Sequence, residues 1–408
     1  MDAIVIVDPF SSCDYIYEKL KQTGLYILTL IYNDKYVNLE KILSYDYDSF
    51  VYIDSFDSAY QVVVGFKNSK KANIRYILNG SDDSSHIAEG LLKEFLPEYQ
   101  NGEQASLRDH KFEMLEYLKT KNLSKQNQLI LTKYNYLSQL KKIKYFNFPI
   151  IVKPYLYGSS SAGVHLYTRI EDIEEDIFDQ RHYISGKKFE AYIAQEFLQG
   201  DEYVVDTVSF KGKHIVTAIF KYDKSFFNSG DAYFSGVSIV DPYDPVCDVI
   251  KQKIFKVFDV LEISTGVNHT ELVVNKDKEV ELIEINPRLS GGSGSLLLMS
   301  SVYSGYGCDQ YTVLFNMLGI SIGNKSLAKY NFCKSFYLYS HNFSDEEFKV
   351  LFLRLVSTFK YLSFDRQQTK LVSPSKKFHD VRKIVVVADN ELEKVNHDVK
   401  LLAHLEEG

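Results

Sequence analysis

Over the first hundred residues, short unbroken apolar runs alternate with stretches of helical spacing. AIVIVDP is a continuous apolar run ending at Asp8 and Pro9, as a strand buried on both faces reads. Behind it, SSCDYIYEKLKQTG sets Tyr15, Ile16 and Leu20 at helical spacing, with Gly24 as the stop. LYILTLIY supplies the next strand, DSAYQVVVGFKN and RYILNG continue the alternation, and Pro97 ends a helix in SSHIAEGLLKEFLPEY. Residues 1–104 are therefore expected to form an open α/β domain with a mostly parallel sheet. Ligands of such sheets sit beyond the carboxyl ends of the strands, where residues 8–12 and 80–85 would lie.

Beyond residue 104 the periods change. SLRDHKFEMLEYLKTKNL reads as a helix with Ser106 as N-cap and Asp109 in its first turn. FPIIVKPYLYGSSSAGVHLYT is a buried strand, a loop of Gly and Ser, and a second strand. YIAQEFLQGDEYVVDTVSFKGKHIVTAIFKYDK is a strand, a short polar break and two β-rich segments joined at KGK. HTELVVNKDKEVELIEINPRLSGG, residues 269–292, is a β-hairpin with a loose loop. GSLLLMSSVYSGYGCDQYTVLFNMLGI is helical, and residues 331–408 mix strands and helices in a C-terminal subdomain.

Composition narrows the function classes. The 408 residues suit two or three domains, and 45% hydrophobic with 25% charged residues is ordinary for a globular protein. A formal charge of −7 argues against nucleic acid as partner, since phosphate neutralisation needs a clustered excess of Lys and Arg. The 31 tyrosines and 27 phenylalanines are then packing residues rather than a base-stacking surface. Four cysteines without CxxC spacing indicate neither a zinc knuckle nor a disulfide framework. The start MDAIVIVDP lacks the features of a signal peptide, and no apolar run is long enough for a membrane span, so a cytoplasmic protein without membrane contact is expected.

The hairpin holds the candidate chemistry. Folded on itself, it sets Glu271 opposite Glu284, with Asn286 on the same face. Like charges facing across a ladder are destabilising. Two readings of the hairpin stand equal: a solvated face neutralised by Lys276 and Lys278, or carboxylate and amide oxygens shared by a hard divalent cation. The residues beside it favour the cation. Arg288 offers a planar fork for phosphoryl or carboxylate oxygens, and LSGGSGS, with Gly291 and Gly292, offers backbone amides at a helix start. Lys153 ends a buried strand, where a lysine is commonly a snorkelling surface residue. It is followed, however, by Gly158, Ser159, Ser160, Ser161, Ala162 and Gly163, whose amides could close over phosphates. There is neither a Walker loop nor a dinucleotide fingerprint.

The order RDHK, IIVKP, GSSSAG, QEFLQGDE, TEL and EINPR across residues 108–288 resembles the ATP-grasp superfamily. The resemblance implies an α/β (α+β) ATP-grasp fold in which the nucleotide is held between two α+β subdomains. It assigns a preceding domain to residues 1–104, a lid subdomain with its linking helix to 105–200, a large metal-bearing subdomain to 201–330 and a C-terminal subdomain to 331–408. It also implies that Lys111 and Lys153 hold the phosphates of ATP under the Gly158 to Gly163 loop. Glu196 and Leu198 would offer backbone groups to the adenine, with Phe197 between them, and Gln195 stands where many relatives carry an acid facing the adenine amine. Glu202 would accept from the ribose hydroxyls. Glu271, Glu284 and Asn286 would bind Mg²⁺, or Mn²⁺, and Arg288 would steady the transferred phosphoryl group. RDHK carries a His110 that the family's helix motif commonly lacks.

Within the superfamily, VDPFSS and EINPRLSGG look most like L-amino-acid ligases, the dipeptide synthetases, with Cys13 where such relatives often have glycine. The implied reaction joins two amino acids through an acyl phosphate, releasing ADP and phosphate. The alternatives are another small carboxylate and amine on the same site, or an ATP-binding module without turnover. Gly291 and Gly292 amides could meet the tetrahedral oxyanion. His269 reads either as a proton acceptor for the incoming amine or as a structural histidine. SFFNSGDAYFSG reads as a loop lining the amino-acid pockets. Lys221, Tyr222 and Lys224 read as substrate contacts or exposed residues, and His86 as a first-turn helix residue. A homodimer is the default for a soluble enzyme.

Overall fold

The first eight elements alternate strand and helix: β1 (Asp2–Val7), α1 (Cys13–Gln22), β2 (Tyr26–Ile31), α2 (Leu39–Leu43), β3 (Ser49–Tyr52), α3 (Phe56–Lys70), β4 (Asn73–Asn79) and α4 (Ser85–Phe95). The strands pair in parallel in the order β3-β2-β1-β4. Residues Ala3 to Val7 are fully buried, as a parallel sheet covered on both faces requires. The structure is a computed structural model and describes residues 1–10, 12–32, 39–155, 163–181, 188–226, 232–322, 327–339, 343–365 and 381–407.

The link out of this sheet differs from the helix expected there. Residues Glu103–Asp109 form a 3₁₀ turn, and α5 (Lys111–Thr120) begins only after it. Ser106 is no N-cap: its hydroxyl donates to Glu103 O at 2.8 Å, and Asp109 accepts from Ser85 Oγ at 2.5 Å. Arg108, buried, explains the delay. Its guanidinium donates to Ala105 O at 2.9 Å and Asn268 Oδ1 at 2.6 Å and pairs with Glu89 at 2.8 Å, holding the segment in a tertiary position an α-helix would not reach.

A second sheet follows from β5 (Gln128–Thr132), α6 (Tyr136–Ile143), β6 (Ile150–Pro154), β7 (His165–Tyr167) and β8 (Ala191–Glu196). It is antiparallel, in the order β5-β8-β6-β7. The third sheet takes β9 (Asp201–Phe210), β10 (Lys213–Phe226) and β11 (Ala232–Ile239), then, after α7 (Pro245–Val260), β12 (Gly266–Val274) and β13 (Val280–Asn286). Helices α8 (Ser295–Val302) and α9 (Gln310–Met317) come next, so the apolar stretch expected as one helix is broken at residues 303–309. The chain closes with β14 (Phe332–Leu338), α10 (Asp345–Arg354), β15 (Phe359–Asp365), β16 (Lys383–Asp389) and α11 (Leu392–Glu407). All eight strands form one sheet, β13-β12-β9-β10-β11-β14-β16-β15, so the last three continue the sheet that carries the β12–β13 hairpin.

SFFNSGDAYFSG is mostly strand rather than loop, because β10 and β11 pair from Phe220 and Ile239 out to Phe226 and Ala232; residues 227–231 lie outside the described residues. Among the described residues no helix is long and apolar enough to cross a membrane.

Candidate active site

Strands β12 and β13 pair with His269 opposite Asn286 and Glu271 opposite Glu284, the alignment expected from the sequence. On the other flank, β9 sets Asp206 beside His269, Val204 beside Glu271 and Glu202 beside Val273. Cross-strand partners share a face, so Asp206, His269, Asn286, Glu271, Glu284 and Glu202 line one side of the sheet. The opposite side carries Tyr203, Val205, Leu272, Leu282 and Ile285, packed on Ile250, Ile254, Val257 and Phe258 of α7. The period of two thus sorts a polar site from an apolar anchor along the same strands.

Glu284 is stabilised as the anion. Burial alone would raise its carboxyl pKa, but the Lys111 ammonium, a hydrogen bond from Asn286 Nδ2 at 2.8 Å and the charge of Lys153 hold it well below the ordinary carboxylate range. The Lys111 Nζ is paired directly with Glu284 Oε2. That lysine begins α5, and its pKa rises because Glu284, Glu271 and Asp82 outweigh its burial. Lys153, on β6, is 9% exposed and adds its charge to the same volume. Among the described residues no cluster of three His, Cys, Asp or Glu side chains is arranged to hold a metal. The donor set here is smaller, two facing carboxylates and an amide, all hard oxygens; it fits a small divalent cation that completes its shell with phosphate and water.

His269 is 2% exposed and donates from Nδ1 to Asp206 Oδ1 at 2.8 Å, since a carboxylate can only accept. Its Nε2 then faces Glu271 Oε1 at 3.8 Å. Arg288 Nε pairs with Asp82 Oδ1 at 2.8 Å, and its Nη1 donates to Leu289 O at 3.0 Å. Asp82 follows β4, so the loops at the carboxyl ends of the first sheet do reach the site. Asn79 Nδ2 donates to Pro287 O at 2.9 Å, and the Ser12 hydroxyl donates to Ser290 O. Gly80 passes so close to Asp8 O that any Cβ would collide with it.

The turn after Arg288 is left-handed at Gly292 (φ 70°), Ser293 (φ 51°) and Gly294 (φ 80°) before α8. Among the described residues the N–H groups of Gly291 and Gly292 donate no hydrogen bond. Gly163 ends the Gly/Ser loop with φ 70°, where a Cβ would meet Pro154 and Phe189. Gly158, Ser159, Ser160 and Ser161 lie outside the described residues.

The segment from Gln195 to Leu198 joins β8 to β9. Gln195 is buried and donates to Gln126 Oε1, which occupies the amide expected to face a nucleobase. The Glu196 carboxylate turns to Asn147, accepting from its N–H at 2.8 Å and its Nδ2 at 3.0 Å, and the Glu196 N–H donates to Asn127 O at 3.1 Å. Glu196 to Gly200, Val273 and Pro149 line a cleft of about 610 Å³ that also takes in the hairpin tip. Its wall omits Lys153, Glu271 and Glu284. Glu202 is 9% exposed beside Val273.

Asp206 and Gln310 escaped sequence reasoning, and Asp82 entered it only as part of residues 80–85. Asp206 had a signal, a lone charge in the apolar strand YVVDTV, whereas Asp82 and Gln310 act through contacts the sequence does not encode locally. Lys221 pairs with Asp201 at 2.7 Å, away from the carboxylates. Tyr222 is close to them: its hydroxyl pKa is pushed far up by burial and then by the charge of Glu271. The Lys224 side chain lies outside the described residues, and His86 meets Tyr32 edge-on at 5.6 Å. Among the described residues Cys247, Cys308 and Cys333 are free thiols.

Residues 146–296 match the model of the ATP-grasp domain. Dapdiamide A synthase of Enterobacter agglomerans is 25% identical over 55% of this chain and 53% of its own length. Alanine–anticapsin ligase of Bacillus amyloliquefaciens is 26% identical over 47% of this chain and 43% of its own. The chain therefore spans about half the length of these curated relatives. An L-amino acid ligase from Bacillus licheniformis superposes with a TM-score of 0.73 at 15% identity, over 99% of this chain and 97% of the other. A carboxyaminoimidazole ribonucleotide synthase from Aspergillus clavatus, complexed with ATP, gives 0.70 at 12% identity over 100% and 98%. At such identities the likeness concerns the fold. Residues 146–296 thus match an ATP-grasp domain, in a chain that shares its fold over 99% of its length with that L-amino acid ligase.

Proposed function

We propose that the protein is an ATP-dependent carboxylate–amine ligase that joins two L-amino acids through an acyl phosphate and releases ADP and phosphate. The observation that carries this reading is the facing of Glu271 and Glu284, with Asn286 on the same side, in an ATP-grasp fold. The amino-acid substrate class is drawn from the relative that is an alanine–anticapsin ligase and from the L-amino acid ligase of similar fold.

In this reading Lys111 and Lys153 hold the nucleotide phosphates and the Gly158 to Gly163 loop covers them. Backbone groups of Glu196 and Leu198 receive the adenine, beside Phe197, and Glu202 receives the ribose. Glu271, Glu284 and Asn286 would hold Mg²⁺ or Mn²⁺, which when bound neutralises phosphate charge as it moves. Arg288, kept in place by Asp82, steadies the phosphoryl group as the first substrate's carboxylate takes it from ATP. The second substrate's amine then attacks the acyl carbon; the Gly291 and Gly292 amides meet the oxyanion, and His269 Nε2 takes the amine proton. Asp206 fixes the tautomer that leaves Nε2 free to do so.

The test is mass analysis of products after incubation with ATP, Mg²⁺ and pooled amino acids. The reading requires ADP, phosphate and an amide of two amino acids in equal amounts. AMP release, or no turnover with any pool, would refute it; an amide with a different acid or amine would keep the site and change the substrate.

A further inference from the structure

The turn that carries Gly291 and Gly292 is gripped from two sides. The Ser290 N–H donates to Gln310 Oε1 at 3.2 Å, while Ser290 O receives the hydroxyl of Ser12, which also lies 3.5 Å from Gly291 O. Gln310 is fully buried and is itself fixed, donating from Nε2 to Thr207 O at 3.1 Å and Asn268 O at 2.9 Å. Those two carbonyls belong to β9 and β12, one residue from Asp206 and His269. One buried amide thus ties the glycine turn to the strands of the carboxylate site.

Ser12 comes from the other side, out of the first domain, and is 2% exposed. It directly precedes α1, and α1 is bolted to α8 and α9. Tyr15 Oη meets Ser301 Oγ at 2.7 Å and Asp309 Oδ2 at 3.1 Å, and Lys19 pairs with the fully buried Asp309. Tyr15 also packs where a Cβ on Gly294 would stand. A left-handed turn through Gly292, Ser293 and Gly294 has little intrinsic rigidity. Its amide directions depend on what grips Ser290.

We infer that Ser12 is a positioning residue that aims the Gly291 and Gly292 amides at the acyl carbon's oxygen, and so decides whether the acyl phosphate is taken by the amine or by water. The inference rests on the ligase reading above. In the amide-forming step the amine nitrogen bonds to the acyl carbon, the carbonyl electron pair moves to oxygen, and the carbon–oxygen bond to phosphate then breaks. The pair on oxygen returns to re-form the carbonyl, phosphate leaves with the pair of the broken carbon–oxygen bond, and the amine proton passes to His269. Water attacking the same carbon releases the same phosphate but returns the carboxylic acid, so ATP is spent without amide. A misaimed turn withdraws oxyanion stabilisation from attack in the site, so the acyl phosphate persists until it is released and hydrolysed in bulk water, while phosphoryl transfer, which uses Lys153 and Arg288, is nearly untouched.

The experiment measures ADP and amide formed per unit time by wild type and by Ser12→Ala, with KM for ATP and the melting temperature of each. The wild type should give about one ADP per amide. Ser12→Ala should form amide on the order of tenfold more slowly while ADP release stays within about threefold of wild type, so that ADP per amide rises several-fold at unchanged KM for ATP. Ser12→Thr, which retains the hydroxyl, should recover most of the coupling. A Ser12→Ala protein that remains coupled overturns the inference alone, as does one in which ADP and amide fall together. A wild type that forms no amide removes the ligase reading and the inference with it.

Discussion

Glu284 stands opposite Glu271 in a pairing that ordinarily costs stability, and its neighbours reverse the sign. Lys111, Asn286 and Lys153 together overcome its burial and keep it an anion. Glu284→Gln keeps the shape and the amide-like contacts but removes that charge. It should lower kcat/KM by roughly 10²-fold or more, with a cooperative melt retained; full turnover in this variant would show that the carboxylate holds no metal. At this scale the sequence was informative wherever the chemistry followed a period of two: Glu271, Glu284 and Asn286 could be set on one face before any coordinates, whereas β13 ends at Asn286 and Arg288 turns back, its N–H donating to Asn286 O at 2.8 Å. Asp82 could not, because what selects it is its place beside Arg288, 206 positions away in the chain, and nothing in GSDDSS distinguishes it from its neighbour Asp83.

Among the elements, α1 is the one whose attachment governs the site. Its link to α9 is an ion pair between Lys19 and a carboxylate, Asp309, with no solvent exposure. Burial would raise the Asp309 pKa, yet the charge of Lys19 and donors from Lys19, Ser301 and the Thr312 N–H lower it overall. A carboxyl with a folded pKa below its unfolded value adds stability that is complete above the unfolded value and disappears as pH falls through the folded one. Asp309→Asn should therefore cost about 2 kcal/mol near neutral pH, and the gap to wild type should close on acidification below the ordinary carboxylate range. Melting temperatures of both proteins across an acid series check this; a gap that is constant with pH would mean that the pair contributes no charge-dependent stability. The sequence revealed α1 through Tyr15, Ile16 and Leu20. It misplaced the start of α5, because the tertiary bonds of Arg108 set that boundary and local capping signals at Ser106 lost to them.

Across the whole molecule, three sheets converge on one polar face. Three strands of the parallel sheet were legible because short-range alternation with a crossover helix is enough to state them; β3 (Ser49–Tyr52), only four residues long, and α2 before it went unread. The eight-stranded sheet was legible only in part. The hairpins β9–β10 and β12–β13 announce themselves by turn residues, such as Lys211 and Gly212, both at positive φ. The docking of β14 onto β11 joins residues about 100 positions apart, and β16 in turn separates β14 from β15, an order that no local pattern encodes. Other long-range contacts bring Asp82 to Arg288 and Lys111 and Lys153 to Glu284, and so the site exists only in the completed fold.

The account's central claim is that the β12–β13 hairpin holds a divalent cation against the phosphates of ATP. A crystal grown with Mn²⁺ and a non-hydrolysable ATP analogue tests it most directly, through the anomalous signal of the metal. The claim predicts a peak bounded by the carboxylates of Glu271 and Glu284 and the amide oxygen of Asn286, with phosphate oxygens completing the shell and Lys153 beside them. Nucleotide bound with its phosphates elsewhere, or Glu284 still paired with Lys111 and no metal between the two carboxylates, would contradict it.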